Sequence, residues 1–292
     1  MLPGTIEDTR NPPVDISRQK ENRVGVLDGK VAIVTGAGRL RGIGRATAVA
    51  LAAAGADVVV TGTGRDPATF PADEQAVNWH DVHSTVEQIE AQGRRGLALI
   101  GDVSQHVDVT RIVQQTLDTF GRIDILVNNA AIARGADRVP VVELSEELFR
   151  RVLDVKVIGS FLLCKAIIPT LLKQNQGGRI IHLSSVMGKR GVPSTAAYCA
   201  ANFAIQGFTQ ALAQELAPYR ISVNAICPGT IDTARMDVLG REELWDRTVQ
   251  AIPMQRAGTD EEIAGLIAYL CSPIAEYITG QSINIDGGMV MW

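Results

Sequence analysis

The segment Thr35-Gly36-Ala37-Gly38-Arg39-Leu40-Arg41-Gly42-Ile43-Gly44 combines residue types that can hold a phosphate. Glycines admit a tight turn and let backbone N–H groups approach a pyrophosphate, and a helix opening directly after them adds partial positive charge. Gly36, Gly42, Ile43 and Gly44 are therefore candidate dinucleotide-binding residues, with Arg39 and Arg41 decorating the loop. A glycine-rich turn by itself reads equally well as a plain strand-to-helix connection. An apolar run before it and an alanine-rich stretch after it, near the start of the chain, favour the cradle.

A cradle of this kind must be carried by alternating strands and helices. Val31 to Thr35, Asp57 to Thr61, Leu97 to Gly101, Ile123 to Val127, Arg179 to Leu183, Ile221 to Ile226 and Ser282 to Ile285 read as strands. Most are nearly uninterrupted apolar runs, the pattern of parallel strands covered on both faces. Helical segments at 42–54, 84–93, 105–120, 145–174, 196–217 and 260–271 lie between them. The alternation predicts an α/β fold, a doubly wound parallel sheet in a single domain. A polar N-terminal arm, residues 1–24, and a long Pro- and Asp-containing loop, Thr63 to His83, interrupt the rhythm and read as surface additions.

Composition narrows the function classes. At 292 residues the chain suits one large core, and a net charge of −4 offers no basic field for nucleic acid. Cys164, Cys199, Cys227 and Cys271 lack both metal-ligand and disulfide spacing, so no metal site and a reducing, cytoplasmic compartment are expected. Prolines and charges occupy the N-terminal stretch where a signal peptide would be apolar, and no later run reads as long and apolar enough to span a bilayer, so no membrane partner is expected.

Several ordered motifs together resemble the short-chain dehydrogenase/reductase family over about residues 27–290: Leu27-Asp28-Gly29-Lys30, Gly101-Asp102-Val103-Ser104, Asn128-Asn129-Ala130-Ala131, Leu183-Ser184-Ser185, Tyr198, Cys227-Pro228-Gly229 and Asn284-Ile285-Asp286-Gly287-Gly288. The resemblance implies a seven-stranded Rossmann-type sheet over 25–292, a nicotinamide cofactor at the strand C-terminal edge, and a homotetramer or homodimer built on two long helices. The chain departs from the family pattern twice. Five residues rather than three separate Gly36 from Gly42, a two-residue insertion that should reshape the cradle. Asn202 stands where the family carries the lysine of Tyr-x-x-x-Lys, and Lys156 stands where it carries an asparagine.

By position, Tyr198 matches the family's general acid/base and Ser185, thirteen residues earlier, its substrate-polarising serine. The chemistry so implied is hydride transfer between nicotinamide and a substrate carbon while a phenol exchanges a proton with oxygen. Bringing a phenol from its usual pKa of about 10 to about 7 takes on the order of 4 kcal/mol of phenolate stabilisation, which the dipole of Asn202 does not supply. Lys156 is the candidate cation. A lysine on a helix ordinarily snorkels to solvent, but the reciprocal asparagine at 202 favours a functional reading.

After the second strand, Gly62 occupies the place where NAD-preferring relatives carry an acidic residue. Arg65, with Arg39 and Arg41, offers guanidinium groups for a ribose 2′-phosphate, so NADP(H) is the preferred cofactor and NAD(H) the alternative, which a carboxylate returning from the inserted loop, such as Asp66 or Asp73, would restore. The resemblance further assigns Thr63, Asp102, Val103, Asn129 and Ala130 to the adenosine side, and Pro228, Gly229, Ile231 and Thr233 to the carboxamide. Residues 230–258, with Arg235, Met236, Trp245 and Met254, resemble the family's variable lid; Ile132, Arg134, Met187, Lys189, Arg190 and Val192 are expected at the same mouth. The expected function is an NAD(P)-dependent oxidoreductase interconverting a small-molecule carbonyl and a secondary alcohol. A 3-oxoacyl-thioester reductase and a non-catalytic cofactor-binding scaffold are the alternatives.

Overall fold

A computed structural model describes residues 25–292, so the arm expected over 1–24 lies outside the described residues. Seven strands, β1 (Val31–Thr35), β2 (Asp57–Gly62), β3 (Gly96–Ile100), β4 (Ile125–Asn128), β5 (Gly178–Leu183), β6 (Ile221–Pro228) and β7 (Ser282–Ile285), form one sheet in the order β3-β2-β1-β4-β5-β6-β7. Every pairing is parallel, with Ile33 opposite Val59 on one side and Leu126 on the other. The order reverses between β1 and β4, which opens a crevice beyond their C-terminal ends.

The apolar runs are explained by two cores. Ala32 and Val34 face one layer, with Leu51, Ile89, Ile263 and Ile267. Ile33 faces the other, with Ile112, Leu163, Ile167 and Leu212. A strand that alternates between two dry layers has no polar positions to spare. The first layer is carried by α1 (Ile43–Ala53), α3 (Val82–Glu90) and α9 (Asp260–Cys271), the second by α4 (His106–Phe120), α6 (Gly159–Gln174) and α7 (Ala196–Leu216).

Four expectations are corrected. The region 63–83 is no open loop: it holds a 3-10 turn at Pro67–Thr69, the short helix α2 (Ala72–Ala76) and the start of α3. It folds because Phe70, Glu74 and Trp79 are buried against the body. The single helix expected over 145–174 starts as α5 (Glu146–Leu153), capped by Ser145, passes through a π-helical turn at Asp154–Ile158 and continues as α6. By length and composition, Glu146–Gln174 does qualify as long and apolar enough to cross a bilayer, contrary to the sequence reading; here Leu163, Cys164, Ile167 and Leu171 pack on the sheet. Finally, the lid contains a helix of its own, α8 (Glu243–Gln250).

Candidate active site

The cradle forms where the crevice predicts. Gly36 sits at φ 67°, and a Cβ on it would lie 2.9 Å from the Ala130 backbone. A Cβ on Gly44 would stand 2.5 Å from the Gly36 carbonyl. Gly42 caps α1 with no side-chain hydrogen bond, leaving first-turn N–H groups facing the cleft. Asn129 locks the turn, donating to the Thr35 and Gly36 carbonyls at 2.8 and 2.9 Å. The cleft measures about 630 Å³, and its wall includes every expected cofactor-site residue except Pro228, Gly229 and Ile231. Those three are not among the wall residues: Pro228 closes β6, and Ile231 is buried at an isolated bridge to Gly258. Bare N–H groups, glycines that admit backbone, and this volume fit a dinucleotide.

Gly38 has a different role from the one its motif suggests. A Cβ there would lie 1.8 Å from Asp81 Oδ1, so this glycine makes room for a carboxylate. Asp81 is itself held at φ 54°, an uncommon conformation for a non-glycine residue. The returning insertion thus delivers an acidic group to the cleft beside Gly62, although it is Asp81 rather than Asp66 or Asp73.

Two of the three arginines expected for a 2′-phosphate line the cleft and are also engaged in ion pairs within the protein. Arg65 donates to Glu74 at 2.7 Å, to Asp81 at 3.1 Å and to the Gly38 carbonyl at 2.9 Å, and lies over the Phe70 ring. Arg41 donates to Asp73 at 2.6 Å and to Asp237, with Asp232 at 3.5 Å. Burial opposes the Arg41 charge, but the bonds to Asp237 and Asp73 outweigh it and raise its proton affinity. The Arg41 carbonyl also accepts from Ala234 N, so Arg41 ties α2 and the segment after Thr233 to the glycine loop. Arg39 has no ion pair among the described residues and lines the cleft; burial, then the charge of Arg65, lowers its proton affinity. Asp102 is held by Ser104 and, at 2.7 Å, by Arg151.

Ser185 lies at the end of β5, where its Oγ accepts from Met187 N at 3.2 Å and caps a 3-10 turn. Tyr198 stands in the first turn of α7, half-buried. Asn202, one turn later, is fully buried, its amide spent on the Tyr198 carbonyl at 2.8 Å and its Oδ1 without a partner. Lys156 occupies the middle of the π turn and is buried. A π turn widens the helix by one residue and recurs at functional sites; here it packs against α7. Burial first and the charge of Arg235 second push the Lys156 ammonium down to about 7, with Cys227 acting in the opposite direction. Beneath it, His182 is pushed to about 3 by burial and then by Lys156. His182 Nδ1 lies 3.2 Å from the Asn128 amide, which assigns the ring proton to Nε2, itself unpartnered. Asn128 is thus buried in the sheet interior beside His182.

The substrate mouth holds a residue that the sequence did not single out. Arg138 lies 4.1 Å over the Tyr198 ring centroid, and Arg235 lies 5.5 Å from it. Of the other residues expected there, Arg134 lines the cleft. Lys189 is drawn away, donating to the Ser282 and Trp292 carbonyls at 2.8 and 2.7 Å. Arg190 is exposed and Trp245 stacks under Arg241. An Asp-Arg pair at 137–138 in a loop carries no spacing signal that would have placed it over a tyrosine.

Comparison with known proteins agrees with this geometry. The family described as Enoyl-(Acyl carrier protein) reductase matches residues 36–290. A 3-oxoacyl-[acyl-carrier-protein] reductase of Synechocystis is 42% identical over 267 residues, covering 91% of this chain and 99% of the relative. The solved structure of acetoin dehydrogenase from Enterobacter cloacae superposes with a TM-score of 0.74 at 36% identity, over 89% of this chain and 95% of that one. A structure from Sinorhizobium meliloti 1021, described as a short-chain alcohol dehydrogenase, gives a TM-score of 0.78 at 36% identity, over 90% and 97% of the two chains. The crevice at the strand-order reversal, the glycine cradle and Ser185 with Tyr198 at the start of α7 thus belong to an oxidoreductase acting on carbonyl and alcohol groups with an NAD(P) cofactor, and the chain is a member of the short-chain dehydrogenase/reductase family.

Proposed function

We propose that this enzyme interconverts a small carbonyl compound and its secondary alcohol with Tyr198 as the acid/base, Ser185 polarising the substrate oxygen and Lys156 supplying the cation that the family's lysine supplies elsewhere. The observation that carries the reading is Arg235, which lines the dinucleotide cleft and stands 5.5 Å from the Tyr198 ring, so that cofactor space and phenol share one wall. A bound nicotinamide supplies or accepts the hydride. The chain would position it: first-turn N–H groups of α1 and the glycine backbone would take the pyrophosphate, Asp102 and Val103 would flank the adenosine end, and Thr233 would stand at the nicotinamide end. Tyr198 then donates its proton to the forming alkoxide, or withdraws one from an alcohol. Asn202, bonded to the Tyr198 carbonyl, holds the helix turn that bears the phenol.

A preference for NADP(H) rests on Arg39, since Arg41 and Arg65 are neutralised within the protein. A cytoplasmic location and a homotetramer or homodimer complete the reading; Phe161 of α6 and Phe203 of α7 are exposed and give two long helices an apolar face for a second copy. A 3-oxoacyl thioester is the second substrate reading, favoured by the name of the Synechocystis relative. The test is Tyr198→Phe with binding and turnover measured separately. Dinucleotide binding is expected to persist while kcat/KM falls by about a thousandfold, within the range for removing a general acid/base. Unchanged turnover in that variant would remove Tyr198 from the chemistry.

A further inference from the structure

The wall above Tyr198 is more cationic than a neutral substrate requires. Arg134, Arg138 and Arg235 converge there, Arg134 and Arg235 from the cleft wall and Arg138 from over the ring. Asp137 is the carboxylate beside them: Arg138 Nη1 stands 3.1 Å from Asp137 Oδ2. That proximity is not a hydrogen bond, because Nη1, Nε and Oδ2 are all buried without a hydrogen-bonding partner. Arg235 donates Nη1 to the Ile132 carbonyl, and its Nη2 is likewise buried and unpartnered. Arg134 finds only the weak acceptor Met236 Sδ, at 3.4 Å. Lys156 adds a further cation beneath. Buried guanidinium N–H groups that meet no acceptor are costly, and a planar anion is the group that satisfies them in pairs.

Resting on the oxidoreductase reading above, we propose that the substrate carries a carboxylate a few bonds from its reacting carbon, held by Arg138 and Arg235, so that the enzyme works on small oxo acids and the corresponding hydroxy acids. Both guanidinium groups flank the ring whose hydroxyl meets the reacting oxygen, which places the anion beside the carbonyl rather than at the far end of a long chain. A thioester carbonyl offers no charge at that position. Hydride adds to the carbonyl carbon, the proton of Tyr198 goes to its oxygen, and the carboxylate takes no part beyond binding.

The test compares 2-oxobutanoate and 3-oxobutanoate with their methyl esters, using reduced cofactor. For at least one acid, kcat/KM is expected to exceed that of its ester by about 100-fold, the scale on which a site built for a polar group rejects its neutral analogue. Arg138→Met and Arg235→Met should each bring that ratio below about 10, mainly through KM for the acid, whereas Arg138→Lys should retain part of it because charge survives without the fork. Esters or acyl thioesters used as well as the acids, or equal losses on acid and ester in both Met variants, would overturn the proposal while leaving the oxidoreductase reading in place. Binding of butanoate and 3-hydroxybutanoate to Tyr198→Phe with bound cofactor, followed by calorimetry, separates the pocket from the chemistry. Binding that is lost in Tyr198→Phe/Arg138→Met supports the anion pocket even if wild type turns over no carbonyl, an outcome that would count against the catalytic reading alone. No acid binding and no acid turnover would remove the pocket.

Discussion

Two groups of arginines flank the same cleft, and the structure treats them in opposite ways. On the adenosine side, Arg41 and Arg65 face Asp73, Glu74, Asp81, Asp232 and Asp237, and their N–H groups are spent on those partners. At the mouth, only Arg138 of Arg134, Arg138 and Arg235 faces a carboxylate, that of Asp137, and buried N–H groups of Arg138 and Arg235 have no hydrogen-bond partner. The first group is a latch: it fastens α2 and the lid onto the glycine loop. The second is a wall still waiting for an anion. Residue type is the same in both; what differs is whether the chain brings its own carboxylates, and this decides whether a guanidinium holds the protein together or recognises a ligand.

The comparison breaks most sharply at the mouth. Removing the cation below it, in Lys156→Ala, should lower kcat/KM by about a hundredfold, in the range for losing support of a general acid/base, while Asn202→Ala costs less. The double change Lys156→Asn with Asn202→Lys should recover part of the loss in Lys156→Asn alone, read as a coupling in a double-mutant cycle. The titration gives a second handle. With its ammonium at about 7, Lys156 is cationic below that pH and loses its charge above it; on the proposed role for Lys156, a kcat/KM limb near pH 7 should vanish in Lys156→Ala. The folded value lies below the unfolded one, so the fold binds fewer protons between about pH 7 and 10 and stability rises with pH across that window. Lys156→Met should accordingly raise Tm more at pH 6 than at pH 9, at about 1.4 kcal/mol for each tenfold change in proton affinity.

Breaking the latch should unfold rather than inactivate. Glu74→Gln leaves Arg65 short of a nearly fully buried partner and is expected to cost about 3 kcal/mol, measured as a lower urea midpoint with the same slope. Smaller still is the cofactor effect: Arg39→Ala should weaken NADPH about tenfold with NADH little changed, one charge-assisted contact to a phosphate. Arg41→Ala and Arg65→Ala should weaken both cofactors alike. NADH bound as tightly as NADPH by wild type would assign the ribose to Asp81 instead. At the bottom of the scale, Glu146→Gln breaks an exposed pair with Arg150 and should change stability by less than about 0.5 kcal/mol.

The strands β1, β2, β4 and β6 were legible as apolar runs because each is squeezed between two dry layers, whereas the edge strands β3 and β7 are only partly buried. The insertion was not. Its prolines and Asp66 read as loop, and only the burial of Phe70, Glu74 and Trp79 turns it into a folded strap. The π turn at Asp154–Ile158 has no residue signature, since it reflects how one long helix accommodates its neighbours. Arg41 and Arg65 were seen near the cleft, but their ion pairs were not, because their acidic partners come from 9 to 196 residues away.

The sequence alone determined the sheet and the glycine turn between β1 and α1, because periodicity and short-range spacing are local properties that a chain cannot hide. Charge pairing is not local. Whether Arg65 meets Glu74, whether Asp81 enters the space that Gly38 vacates, and whether Arg138 lies over Tyr198 with its N–H groups unmet were settled only when distant segments closed on one another, since a guanidinium's role is fixed by the acceptors within a few ångströms of it and by the water those acceptors displace.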